Sequence, residues 1–170
     1  MRLFGKKTKS GRDAVSDYTR MIEGQIAEAR ALLGDVKEFD PKKAKHALLV
    51  RTILVIAGHI PETRMAHARS CGWNEAKYKK FVVKCWSDSG EGGHSHAQGI
   101  YYDGTLVVEW NAMANKPEEF RVVRLGSWCE ELFQDVLEIR QAVEDQAKED
   151  LENHARIAAE FETNRYKPLN

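Results

Sequence analysis

From Ser127 to Glu162 the chain holds neither glycine nor proline. Ser127-Trp-Cys-Glu130 opens this run as a capping box, in which serine accepts from the third helical amide and glutamate reaches back to the serine amide. Behind it Trp128, Leu132, Val136, Ile139, Val143, Ala147, Leu151, Ala158 and Phe161 form one apolar stripe, with His154 on the same line. That spacing predicts a single helix about 54 Å long. A domain built from 170 residues is too small to cover such a helix from end to end. Phe133 and Leu137 widen the stripe only in its first half, so that half is expected to pack on the domain. The second half is narrow and acidic. There Val143, Leu151, Ile157 and Phe161 are expected to meet another chain, because large exposed apolar side chains are an aggregation liability. The steps of the stripe average about 3.67 residues, which favours straight or slightly right-handed coiled-coil packing over a heptad.

The charge is as uneven as the hydropathy. Twenty-six bases balance twenty-six acids, yet residues 41–86 carry a net +8 and residues 127–170 a net −6. A basic module followed by an acidic arm suggests an anionic partner for the module. Within it, residues 64–84 read as two helices crossing at a tight turn. Ala68 is small at the crossing, Gly72 supplies the turn, Trp73 anchors it, and Asn74 caps the second helix. On that helix Tyr78, Phe81, Val82 and Cys85 would face inward, and Lys77, Lys80 and Lys84 outward, with Lys79 beside them.

This segment resembles the helix–turn–helix of DNA-binding regulators. It departs from that pattern at His67, where an aliphatic residue is usual, and at Tyr78, where a β-branched one is usual. An N-terminal helix, a winged helix and a long last helix together resemble the layout of dimeric multiple-antibiotic-resistance-type regulators. The wing tip here, Tyr102-Asp-Gly-Thr105, lacks the arginines of that family. The resemblance implies phosphate contacts from Lys77, Lys79, Lys80 and Lys84, and base contacts from Asn74 and Glu75.

The rest of the chain fills in around these parts. Val15, Tyr18, Ile22, Ile26, Ala29 and Leu33 predict a helix over residues 12–33, ended by Gly34. Asp40-Pro41 should start a second helix running to about Ala57, although the β-branched run of residues 48–56 also fits a strand; Arg51 within it needs a carboxylate or the helix edge. The glycine- and serine-rich residues 87–99 read as a loop. Asp103-Gly104 reads as the two-residue turn of a hairpin over 98–110, with Tyr101 opposite Leu106, and with Leu106, Val108 and Trp110 on one face. Residues 120–125 fit either a third strand or a short helix.

No apolar run is long enough to span a membrane, and the first residues lack the apolar core of a secretory signal. Three cysteines without a C-x-x-C fit a reducing cytoplasm. The pairs His94/His96 and His67/Cys71 are each too few for a zinc site. Neither metal nor cofactor is therefore expected.

The expected fold is a mostly helical α+β protein in three parts. These are a tail and helix (1–40), a basic winged helix–turn–helix-like module with a β-hairpin (41–126), and a long acidic helix (127–170). The expected function is DNA binding, of a regulatory kind, by a cytoplasmic homodimer on double-stranded DNA. The alternative is a non-enzymatic structural or adaptor protein that docks a partner through the last helix. A small metal-dependent enzyme around His94 and His96 ranks third.

Overall fold

A computed structural model describes residues 11–67, 71–90 and 93–165. The elements run α1 (Gly11–Asp35), α2 (Ala44–Ala57), six strands and α3 (Ser127–Arg165). The strands are β1 (Glu62–His67), β2 (Cys71–Tyr78), β3 (Phe81–Gly90), β4 (Gly93–Tyr102), β5 (Thr105–Ala112) and β6 (Glu119–Val122). They form one antiparallel sheet in the order β1-β2-β3-β4-β5-β6. Residues 22–139 make one compact unit, and residues 11–21 and 140–165 belong to a second.

In the first unit the buried sheet residues Phe81, Val83, Ile100 and Val108 alternate along their strands, so they share one face. They join a single core with Ile22, Ile26 and Ala29 of α1, Leu49, Val50, Ile53 and Ile56 of α2, and Trp128, Leu132, Phe133 and Val136 of α3. The helices of this unit therefore lie against one face of the sheet. Trp128, fully buried, donates its indole N–H to the Arg124 carbonyl at 2.8 Å and fixes the entry of α3.

All three helices anticipated from periodicity are present. Their starts differ in detail. Asp40 and Pro41 form a turn closed by the Lys43 amide on the Asp40 carbonyl (3.1 Å), and α2 begins only at Ala44. The His46 ring holds that turn: Nδ1 accepts from the Asp40 amide at 2.9 Å, and the imidazole stacks on Phe39. Asp40 accepts instead from the Lys42 amide. At the start of α3 the Glu130 carboxylate is taken by the Arg30 guanidinium, so it does not serve the capping box.

The winged helix–turn–helix is the main correction. Residues 71–90 form the β2–β3 hairpin, and β1 precedes it, so neither helix of the expected pair exists in the described residues. The cause is period. Ala76, Tyr78, Phe81, Val83 and Cys85 alternate with Glu75, Lys77, Val82, Lys84 and Trp86, and Phe-Val-Val-Lys-Cys-Trp is rich in β-formers. The supposed wing, β4–β5, is the middle of a larger sheet.

Residues 87–99 are likewise not a loop, since β3 continues to Gly90 and β4 restarts at Gly93. The Asp103-Gly104 turn stands as expected, with φ of 49° and 76°, both positive as a type I′ turn requires. Tyr101 faces Leu106 as anticipated. A bulge between Ile100 and Tyr101 then separates Leu106 from the face shared by Val108 and Trp110, and leaves Val107 buried. The strand option holds for residues 119–122.

Candidate functional site

Six residues were expected at a nucleic-acid interface, and the sheet distributes them over three places. Asn74 lies on the helix-covered side of β2, in register with Cys85 and Gln98, and its Oδ1 is buried with no hydrogen-bond partner among the described residues. Glu75 and Lys84 are neighbours across β2–β3 on the opposite, open face, 3.6 Å apart, with the Lys84 ammonium over the Tyr101 ring at 5.2 Å. Lys77 is exposed on the same face. Lys79 and Lys80 are the two residues of the β2–β3 turn.

That turn is clamped onto α3. Lys79 Nζ donates to Asp135 Oδ1 at 2.8 Å and to Glu138 Oε2 at 2.6 Å. Lys80 Nζ reaches Glu131 Oε2 at 3.1 Å, and the Tyr102 hydroxyl donates to the other Glu131 oxygen at 2.7 Å. Glu131, Asp135 and Glu138 recur every four and three residues, so one helical face presents all three carboxylates. The Asp103 amide donates to the Lys80 carbonyl at 2.9 Å, tying the two hairpin turns side by side. Lys79 holds a left-handed φ of 48°, a conformation unfavourable for a residue with a Cβ.

The electrostatics follow from these contacts. The hydrogen bonds that Lys79 donates to Asp135 and Glu138 raise its ammonium pKa above its ordinary value. Glu131 is held below the usual carboxylate range by the Tyr102 hydroxyl and then Lys80, and Glu138 is held there by Lys79. Arg30 does the same for Glu130. Cys129 is the opposite case, since burial pushes its thiol up to about 11.

The second candidate surface is the far half of α3. Val143, Leu151, Ile157 and Phe161 are 39, 52, 45 and 74 % exposed, whereas Trp128, Leu132, Phe133 and Val136 earlier on the same helix are fully buried. In its own unit this half meets the start of α1, where the Arg140 guanidinium lies 5.5 Å from the centre of the Tyr18 ring. Residues 140–165 carry seven acids against four bases, so the apolar stripe has acidic flanks.

Arg51 resolves a question left by the sequence. It is half-exposed at the edge of α2, pairs with Glu118 and lies 5.5 Å from the centre of the Phe120 ring. His96 packs against the Trp110 ring at 5.1 Å. The side chains of His67, Cys71 and His94 lie outside the described residues. No helix among the described residues is long and apolar enough to cross a membrane. Sequence reasoning missed Arg30, Tyr102, Glu131, Asp135 and Glu138, whose roles depend on partners 29 to 100 residues distant.

No family model matches this chain, and neither curated proteins nor solved structures contain a detectable relative.

Proposed function

We propose that this protein is a non-enzymatic adaptor that docks a partner protein through the far half of α3. The observation that carries the reading is the exposure of Val143, Leu151, Ile157 and Phe161 on one helix, continuing a stripe whose first half is buried. An amphipathic helix with acidic flanks fits an apolar groove with a basic rim, and its anchors are read at helical spacing. The engagement of Lys79 and Lys80 by Glu131, Asp135 and Glu138 supports this reading over one that needs those lysines for phosphates.

The test is site-specific photo-crosslinking of the full chain in cells. A photoreactive residue at Phe161 or Ile157 is expected to give a discrete protein adduct, and one at Glu152, on the opposite helix face, is not. Adducts of equal yield at all three positions, or none at any, would remove the basis for a docking stripe.

Duplex DNA binding through Lys77, Lys79, Lys80 and Lys84 is the second reading, favoured by the +8 charge of residues 41–86. It requires affinity that falls with salt at a log–log slope of about −0.9 per phosphate contact. Replacing Lys77, Lys80 and Lys84 by alanine would then flatten the slope by about two to three units. Absence of a gel shift at low salt by folded protein rules this reading out.

A further inference from the structure

Among the described residues of its unit, none of the helices packs on the opposite sheet face, whose side chains are laid out by the ladder register. Across β2, β3, β4, β5 and β6 the middle row reads Glu75, Lys84, Gly99, Glu109, Arg121. One row toward the turns are Val82, Tyr101 and Leu106, and one row the other way are Trp86, Ala97 and Asn111. All of these except Arg121 are only part-exposed.

Over these five strands the charge order is antisymmetric about β4, and Arg64 of β1 continues the row beyond Glu75. Acid, base, glycine, acid, base becomes its own complement when read backwards. We propose that this face is the interface between two copies of the chain, packed sheet on sheet about a two-fold axis that runs parallel to β4 past Gly99. The proposal goes beyond the adaptor reading and uses none of its residues.

A two-fold axis in that direction sets β3 of one copy over β5 of the other, and β2 over β6. Lys84 then faces Glu109 of the partner subunit, and Glu75 faces Arg121 of the partner subunit. The same operation puts Val82 on Leu106 of the partner subunit and brings the two Tyr101 rings together. The alternative axis, across the strands, lays each charge on its own copy: Lys84 on lysine and Glu109 on glutamate. Like charges facing each other are repelled, so charge alone selects the first orientation. The axis passes along β4 over Ala97, Gly99 and Tyr101, and the Tyr101 ring and Leu106 lean over the space that a side chain at Gly99 would take, at a sheet spacing of about 10 Å. An isologous contact of this kind closes at two copies. Five strands at about 4.8 Å spacing span about 19 Å, which puts the interface at the small end of specific contacts. A dimer dissociating in the micromolar range is therefore expected.

Three single substitutions in the full chain test this by sedimentation velocity. Lys84→Glu sets glutamate against Glu109 twice per dimer, and Glu109→Lys sets lysine against Lys84 twice, so each variant alone is expected to be monomeric. An equimolar mixture of the two restores both complementary pairs and is expected to form a heterodimer of wild-type strength. Gly99→Lys is expected to be monomeric with an unchanged melt. A Cβ at position 99 meets only ordinary contacts, 3.4 Å to the Tyr101 ring and 3.5 Å to Leu106. Far-UV circular dichroism reports folding of each variant, and a misfolded Lys84→Glu leaves Glu109→Lys and Gly99→Lys to decide. A wild type that stays monomeric at high micromolar concentration overturns the proposal. So does a mixture that fails to pair, or a dimer that survives all three substitutions and is lost in Leu151→Asp/Phe161→Asp.

Discussion

Leu132 and Leu151 are the same residue on the same helix and the same stripe, yet one is fully buried and the other 52 % exposed. Truncating each to alanine isolates what burial does. Leu132 sits in the core with Trp128, Phe133 and Val136, so Leu132→Ala loses its transfer free energy and leaves a cavity, at about 2–5 kcal/mol. Leu151→Ala removes a side chain already half in water, and alanine favours helix at least as well as leucine, so the change stays within about 0.5 kcal/mol. For a chain of this length each kcal/mol moves the midpoint by about 2–4 °C, which predicts a fall of about 4–20 °C for Leu132→Ala and almost none for Leu151→Ala. Scanning calorimetry with urea titrations followed at the helix band measures both, at concentrations low enough to keep the chain monomeric. Equal losses would mean that the far half of α3 is covered as well as the near half, and the docking stripe would not exist. A silent Leu132→Ala would refute the packing of α3 on the sheet.

The pH dependence has a defined sign. Glu130, Glu131 and Glu138 have folded pKa values below the ordinary 4.5, so their stabilisation is present above that value and is lost as pH falls through the lowered ones. Acid titration of Glu130→Gln/Glu131→Gln/Glu138→Gln, followed by urea midpoint, is expected to show a shallower decline below pH 4.5 than wild type. At the β2–β3 turn, Lys79→Ala loses the ion pairs and keeps the left-handed strain, whereas Lys79→Gly loses the pairs and relieves it. The glycine variant should be the more stable of the two by about 1–2 kcal/mol in urea, and the reverse order would deny strain at φ 48°. Cys129 is buried with its thiol pushed up to about 11, so at pH 8 in the native state it should resist alkylation while half-buried Cys85 labels faster, as read by peptide mass spectrometry.

What the sequence made legible was whatever rests on local periodicity or local turn chemistry. The stripes Ile22-Ile26-Ala29 and Trp128-Leu132-Val136 gave two helices because a helix repeats every three to four residues and each stripe lies in the core. Asp103-Gly104 gave a hairpin because both residues must take positive φ. Residues 64–84 defeated the same method. Lys77, Lys80 and Lys84 stand three and four apart, which mimics a helical face. In the hairpin Lys77 and Lys84 share the open face only because a two-residue turn lies between their strands, while Lys80 sits in the turn itself. Ala68, Gly72 and Asn74 supplied a plausible turn and cap around them. The deciding signal was β-propensity in Phe81–Trp86, which pairing with Ala97–Tyr102 of β4 satisfies at a distance.

The charge asymmetry was legible in amount and not in purpose. A net +8 beside a net −6 suggests a foreign anion when the two segments are imagined apart. The fold lays part of one on part of the other. Lys79 and Lys80 meet Glu131, Asp135 and Glu138, and Arg30 of α1 takes Glu130, so four of α3's first-half acids are spent inside the chain. Apart from the pair at Asp135, which is buried, these pairs are exposed and contribute little stability one by one. Their consequence is geometric. They fix the β2–β3 turn, which carries a backbone strain at Lys79, against the part of α3 whose adjoining face enters the core. Beyond Arg140, Asp145 pairs along the helix itself with Lys148 and Gln141, and it is there that the apolar stripe becomes exposed. Burial along the stripe thus changes within α3, from fully buried Trp128, Leu132 and Val136 to exposed Leu151 and Phe161, and the proposed docking role rests on that change.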